Sequence, residues 1–418
     1  LYTEEQKTWI SLDETNRFTF LSNNKGFILQ SDKTGWNQLY LHDMNGKLIN
    51  RITDGNFTVT DIVKIDEKKQ VIYFTARKEN TARVDLYSIK MNGKDMKRLT
   101  TGDYTHTVNL SPQGNYFIST FSNASTPTKV ALYDNKGNMI RLIADAKGSN
   151  MDEYNIAKTE LIRVKSDDGL YDLPAVVTWP LNMDKNKKYP VLISIYGGPG
   201  AGTVMDRFNL NPTQQWFAQE GLIQIAMDHR ASGHFGKEGI NYMYRNLGYW
   251  EIKDYSTIVR HLINNGADPE RICITGFSYG GYLSAYALTY GADVFTHGMA
   301  GGSVIDWTLY DTHYTERFMD TPKDNPEGYK SSSVLTHAHK YKGVLQLVHG
   351  AIDENVHLQN TMQLVSKLQD LNKDFELMIY PGNRHGIGGV KGNHYQNLKT
   401  KFIYKYLLKK EVPRELIR

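Results

Sequence analysis

A single cysteine, Cys273, among 418 residues excludes an internal disulfide framework. It lies in the apolar run Arg271-Ile272-Cys273-Ile274-Thr275 and reads as a small buried hydrophobe rather than a reactive thiol. Cysteine pairs are absent, and so is any H-E-x-x-H pattern. The histidines of Thr336-His337-Ala338-His339 therefore lack the further ligands of a zinc site, and neither a metal nor a cofactor is expected. No stretch approaches the roughly 18 apolar residues of a membrane-crossing helix. No charge dominates either: 49 Lys and Arg against 45 Asp and Glu, mixed along the chain, leave a net charge of +4. That balance offers no basic stripe for nucleic acid and no polybasic anchor for a membrane surface. Phosphate cradles are missing too. Gly197-Gly198-Pro199-Gly200-Ala201-Gly202 lacks the G-x-G-x-x-G register, and Gly233-His234-Phe235-Gly236-Lys237 runs into Glu238 where a P-loop needs Ser or Thr. There is no initiator Met, and the chain opens inside a strand at Leu1-Tyr2, so it is expected to be the C-terminal portion of a longer protein. The scarcity of cysteine leans toward a bacterial rather than an animal extracellular protein, and a periplasmic or cell-envelope location is expected, with any signal or anchor upstream. Asn56-Phe57-Thr58 and Asn123-Ala124-Ser125 fit glycosylation triplets, but at a density that chance supplies.

What is present falls into two grammars. Over residues 1–150, Leu39-Tyr40, Leu86-Tyr87 and Leu132-Tyr133 recur at intervals of 47 and 46. Each is followed by a turn, Asn45-Gly46-Lys47, Asn92-Gly93-Lys94 or Asn135-Lys136-Gly137, and then by a short strand beginning at Arg51, Arg98 or Arg141. Alternating strands, Asn-Gly turns and a period in the mid-forties are the pattern of four-stranded propeller blades. About three such blades fit where closure needs roughly four to eight, so further blades are expected upstream. The polar stretch from Asp145 to Met151 marks a boundary, and residues 151–418 are long enough for a complete second domain.

Inside that second domain, Gly276-Phe277-Ser278-Tyr279-Gly280 stands between a short apolar strand, 271–275, and a helical run that starts at Leu283. A G-x-S-x-G sequence in a strand-to-helix turn is a nucleophile elbow: small neighbours let the serine adopt a strained backbone, and the helix N-terminus offers an N–H to a developing oxyanion. A serine hydroxyl needs a base and a group to orient that base, and in α/β-hydrolases these follow in the order Ser, Asp or Glu, His. The strand 343–350 leads to Asp353, the acid candidate. The strand 375–380 leads into Pro381-Gly382-Asn383-Arg384-His385-Gly386, making His385 the base candidate. Glu354 competes as the orienting acid, and His349 and His394 compete for the base; His349 ends a strand and reads as fixing its loop, and His394 reads as surface. The expected fold is thus an α/β-hydrolase domain, with a doubly wound and mostly parallel sheet, preceded by the last blades of a β-propeller.

Four motifs in order and spacing carry a resemblance across nearly all of residues 155–418. They are Gly-Phe-Ser-Tyr-Gly-Gly-Tyr at 276–282, Asp306-Trp307-Thr308-Leu309-Tyr310-Asp311-Thr312-His313-Tyr314 through Met319, His349-Gly350-Ala351-Ile352-Asp353-Glu354-Asn355-Val356-His357, and Arg384-His385-Gly386. Together they resemble the dipeptidyl peptidase IV branch of the prolyl oligopeptidase family. The resemblance implies that Tyr196 and the Tyr279 backbone form the oxyanion hole. It implies that Val304, Trp307, Tyr310, Tyr314 and Val356 wall a proline pocket, and that Asn355 hydrogen-bonds the substrate carbonyl. Read by spacing alone, Trp307, Tyr310 and Tyr314 fit an ordinary helix packed on a core. Asp228-His229-Arg230-Ala231-Ser232 matches a family loop, with Ala231 where the family carries glycine. The acidic pair that grips a substrate's free amino group would lie upstream, and Glu4-Glu5 does not match it. The implied activity is a serine exopeptidase acting on peptides with proline next to the N-terminal residue, through an acyl-enzyme, as a homodimer formed through the hydrolase domain. A tripeptide-releasing aminopeptidase, a carboxylesterase and a non-catalytic propeller binding protein are the alternatives.

Overall fold

The computed structural model describes residues 2–11 and 18–417. Leu1, where an opening strand is expected, lies outside the described residues, and Tyr2 belongs to no strand. The chain divides into two compact units. The first takes in 1–154 with two short later segments, 205–209 and 234–239; the second holds the rest.

The first unit contains three antiparallel four-stranded sheets, each with its strands in chain order. The first runs Phe18–Phe20, Phe27–Ser31, Gln38–His42, Leu48–Arg51; the second Thr58–Asp66, Val71–Arg77, Asp85–Lys90, Lys97–Arg98; the third Thr105–Leu110, Tyr116–Asn123, Thr126–Asp134, Met139–Asp145. These are propeller blades. All three Leu-Tyr pairs fall in the third strand of their sheet, so the sequence period is the blade period. Successive residues of the second sheet's inner strand face opposite ways. Phe74 packs with Leu39, Ile72 and Tyr87, whereas Tyr73 packs with Leu86, Phe117 and Tyr133. A central strand buried on both faces has no polar side, and Val71–Arg77 is apolar along most of its length.

The fourth strands differ from expectation in one respect. They end at Arg51 and Arg98 instead of beginning there, and Arg141 lies inside its strand. The cause is the tightness of the hairpins. Gly46, Gly93 and Gly137 turn at φ 87°, 81° and 90°, and their N–H groups close on the carbonyls of Asp43, Lys90 and Asp134, so pairing resumes almost at once. A further marker accompanies two of the repeats. Thr53 and Thr100, each two residues past its arginine, accept the N–H of Leu39 at 2.9 Å and of Leu86 at 3.1 Å.

The two later segments are bound into this unit by buried polar bonds. Asp206 accepts from Arg83 Nε at 2.7 Å and from the Ala124 N–H at 2.7 Å. Lys237 donates from Nζ to Trp9 O at 2.7 Å while standing over the Trp9 ring.

The second unit is built on one eight-stranded sheet: β1 (Thr159–Lys165), β2 (Asp172–Thr178), β3 (Tyr189–Ser194), β4 (Ile223–Met227), β5 (Ala267–Phe277), β6 (His297–Gly301), β7 (Val344–Gly350) and β8 (Glu376–Tyr380). Its spatial order is β1-β2-β4-β3-β5-β6-β7-β8. Only the pairs β1/β2 and β2/β4 are antiparallel; from β4 to β8 every pairing is parallel. This is the α/β-hydrolase fold, and it aligns the C-terminal ends of β3 and β5 to β8 on one edge of the sheet. In such sheets ligands bind outside that edge. No helix among the described residues is long and apolar enough to cross a membrane.

Candidate active site

β5 delivers its last residue, Phe277, into a turn that cannot relax. Ser278 follows at φ 60°, ψ −120°, and the helix Tyr279–Thr289 begins with the next residue. Such a backbone costs about 1–3 kcal/mol and persists only where its surroundings impose it. Here they do, because backbone passes against backbone. A Cβ on Gly276 would stand 2.5 Å from the Gly280 carbonyl carbon, and one on Gly280 would stand 2.6 Å from Ile195 O. Every residue of the elbow helix is buried, so it is held on all faces. Ser278 N donates to Gly301 O at 2.9 Å and Gly302 N to Val348 O at 2.8 Å, which joins the ends of β5, β6 and β7.

Asp353 lies in the turn after β7, buried. Its Oδ1 accepts the N–H groups of Asn355 at 3.0 Å and Val356 at 2.9 Å, leaving Oδ2 to accept from His385 Nδ1 at 2.8 Å. A carboxylate only accepts, so Nδ1 carries the proton and Nε2 of the neutral ring is the basic nitrogen. The His385 ring meets Phe277, the neighbour of Ser278, edge-on at 5.3 Å. Ser278 is half-buried, and among the described residues no hydrogen bond of ordinary length engages its hydroxyl. In unliganded sites such bonds are commonly long and tighten with substrate. The competing residues stand elsewhere. Glu354 is exposed and pairs with Arg384 at 3.3 Å. His394 is exposed on the helix Gly389–Phe402, bonded to Tyr380 Oη at 2.8 Å. His349 is buried at the end of β7.

Tyr196 follows β3 and keeps 40 % of its surface open. Its ring lies 6.3 Å from that of Tyr279, and the burial it does undergo raises its phenol above the ordinary value, so the hydroxyl is a donor at neutral pH. The loop after it is fixed from behind. The Ala231 N–H donates to His229 Nδ1 at 3.1 Å, so His229 Nε2 bears the proton and donates it to Gly197 O at 3.0 Å. Ala231 fits where the family carries glycine because its φ is not positive, and its carbonyl accepts from Gly200 N at 2.9 Å. Next to it Arg230, fully buried, is held by Asp254 through Nε at 2.9 Å and Nη2 at 2.7 Å and by Asp168 at 2.7 Å, with Trp250 4.1 Å beneath the guanidinium. Buried charges persist when paired this fully.

The aromatic set is not one helix. Trp307 lies in the short turn Trp307–Leu309, Tyr310 is extended, and only Tyr314 belongs to the helix Thr312–Met319. Asp311 breaks the run by capping that helix, accepting from Tyr314 N at 2.8 Å. The three rings nevertheless converge, with Trp307 stacked on Tyr314 at 6.1 Å and Tyr310 edge-on to Tyr314 at 5.5 Å. Trp307, Val304 and Val356 are buried, whereas Tyr310 and Tyr314 are half-buried. Tyr310 Oη donates to Asn355 Oδ1 at 2.7 Å, which orients the exposed Asn355 amide and leaves Nδ2 as the group it offers.

Sequence reasoning missed Glu251. It is fully buried on the helix Tyr249–Asn264, and its Oε1 accepts from Tyr279 Oη at 2.8 Å and from Gly248 N at 2.8 Å. It therefore anchors the side chain of the residue that follows Ser278. Burial raises its carboxyl above the ordinary value. Gly248 three residues ahead of a glutamate at a helix start was the available signal. No group of three or more His, Cys, Asp or Glu side chains that could hold a metal occurs among the described residues.

Comparison with known proteins divides the chain much as the fold does. Residues 1–128 match the family described as dipeptidyl peptidase IV (DPP IV) N-terminal region, and residues 208–410 match the prolyl oligopeptidase family. Prolyl endopeptidase FAP of Bos taurus is 33% identical over 310 residues, covering 71% of this chain and 40% of the relative. Dipeptidyl peptidase 4 of Trichophyton equinum is 32% identical over 352 residues, covering 81% and 45%. The chain thus spans less than half the length of these curated relatives. The crystal structure of Porphyromonas gingivalis dipeptidyl peptidase 4 superposes with a TM-score of 0.87 at 33% identity, over 96% of this chain and 57% of that one.

Proposed function

We propose that this chain, which belongs to the prolyl oligopeptidase family in its dipeptidyl peptidase IV branch, carries the machinery of a serine exopeptidase that releases N-terminal dipeptides with penultimate proline or alanine. The observation that carries the reading is the 2.8 Å bond from His385 Nδ1 to buried Asp353, on the loop beside the strained Ser278 elbow.

In this mechanism Ser278 Oγ attacks the carbonyl carbon of the second residue while His385 Nε2 takes its proton, and Asp353 holds the ring and stabilises the imidazolium. The oxyanion receives the Tyr279 N–H at the head of the elbow helix and the Tyr196 hydroxyl; each such donor is worth about 10²- to 10³-fold in rate. His385 then protonates the departing amine, and water attacks the acyl-enzyme by the same base. A proline ring has no N–H to satisfy, so the slot of Val304, Trp307, Tyr310, Tyr314 and Val356 suits it. Asn355 Nδ2 is free to donate to the substrate carbonyl. The substrate partner is a peptide with a free amino end. A homodimer through the hydrolase unit is also proposed, supported by β8 lying at the sheet edge with Leu377 exposed.

The test is a panel of chromogenic substrates: Ala-Pro amides with free and with blocked amino termini, a free Ala-Ala-Pro amide, and a simple acetate ester. Hydrolysis of the Ala-Pro amides that falls by about 10⁶-fold in Ser278→Ala supports the reading. Activity confined to the ester, or release of intact tripeptide alone, overturns it.

A further inference from the structure

The buried His349 is absorbed neither by the triad nor by the pocket, yet its ring reaches the triad carboxylate. Its Nε2 donates to Val356 O at 2.7 Å, since a carbonyl can only accept, and that nitrogen also lies 3.2 Å from Asp353 Oδ2. That oxygen is also the one His385 Nδ1 bonds at 2.8 Å. On the other side of the ring, Nδ1 is 2.7 Å from Thr361 Oγ1 on the helix Gln359–Asp370; with the proton on Nε2, the threonine hydroxyl is the donor. The Val356 carbonyl thus fixes the tautomer, and Thr361, by donating to the other ring nitrogen, holds the ring with Nε2 beside Asp353. Burial, foremost, pushes the His349 imidazole below its ordinary value, which favours the neutral ring.

We propose that His349 is a positioning residue of the triad, a fixed neutral donor that shares Asp353 Oδ2 with His385 and thereby sets how basic His385 is. The titratable groups that face it are Asp353 on the loop after β7 and His385 on the loop after β8. The nearest exposed charges on those loops, Glu354 and Arg384, pair with each other. A donor on Oδ2 withdraws charge from the carboxylate. Removing it leaves a stronger acceptor for His385 Nδ1–H, stabilises the imidazolium, and raises the pH at which His385 becomes a base. At 3.2 Å, and shared with a carbonyl, the N–H contributes less than a full charge-assisted bond. A shift of about half a pH unit is therefore expected.

The inference rests on the serine-peptidase reading, and the experiment separates the two. The rate of Ser278 modification by an organophosphonate is followed against pH for the full chain, which reads the acid limb of His385 without any peptide preference. His349→Leu should move that limb up by about half a unit. His349→Gln, which restores an N–H at the Nε2 position, should return it, and Thr361→Val should move it up by less than His349→Leu does. Thr361→Val leaves no cavity, so it reads out even if His349→Leu folds poorly. Should Ser278 resist modification at every pH, the peptidase reading itself falls. If Ser278 is modified and the limb stays in place in His349→Leu and Thr361→Val, only the role of His349 is overturned.

Discussion

In the first unit every sheet takes its strands in chain order, each joined to the next by a hairpin. In the second unit the sheet runs β1-β2-β4-β3-β5-β6-β7-β8 and its parallel strands meet only through long crossovers. The contrast explains where the candidate site residues collect. Antiparallel neighbours alternate direction, so successive turns point to opposite ends of a blade. Parallel strands deliver all their C-terminal ends to one edge. Tyr196 after β3, Ser278 after β5, Asp353 after β7 and His385 after β8 are distant in sequence and share that edge for this reason alone. A defect in a blade hairpin should therefore stay local, whereas a defect at the shared edge should act on the reaction.

The sharpest way to probe that difference is the carboxylate proposed to orient His385. Asp353→Asn keeps the shape of the side chain and loses the charge, so kcat/KM on an Ala-Pro amide should fall by about 10⁴-fold. Glu354→Gln, one residue along and paired outward to Arg384, should leave the rate nearly unchanged. Equal losses at both positions would mean that the loop, and not one hydrogen bond, is what matters.

A smaller effect is expected at the aromatic wall. Tyr310→Ala removes both a ring and the donor that orients Asn355. Discrimination of proline over bulkier residues should drop by about 1 to 3 kcal/mol, measured as a ratio of kcat/KM values. Because Tyr310 is half-buried, its melting temperature should change far less than that of Trp307→Ala, whose ring is fully buried. A large loss of stability with unchanged preference would instead make Tyr310 part of the core.

The smallest effect lies in a blade. Gly93 turns at φ 81°, and a Cβ there would stand 2.9 Å from Arg51 O. Gly93→Ala should cost about 1 to 2 kcal/mol of stability in denaturant titration. The rate at which an organophosphonate modifies Ser278 should not change. A parallel fall in that rate would show that the hairpin and the catalytic edge are coupled and would break the comparison.

The sequence alone determined whatever depends on neighbours along the chain. The blade period could be read because each strand's partner lies one hairpin away, and the turn glycines announce it. The elbow could be read because its strain is local, with Gly276 and Gly280 flanking Ser278. The order Ser278, Asp353, His385 could be read because each residue follows a recognisable strand. Only the tertiary structure decided between Asp353 and Glu354 as the partner of His385, since adjacent residues on a turn point in different directions and spacing cannot say which faces inward. It alone showed that Trp307, Tyr310 and Tyr314 converge from a turn, an extended residue and a helix, because the Asp311 cap interrupts a spacing that otherwise reads as one helix. It alone brought Glu251 beneath Tyr279 and His349 beside Asp353. Those contacts join residues on separate elements, and a buried polar group declares its role only through the partner that burial forces on it.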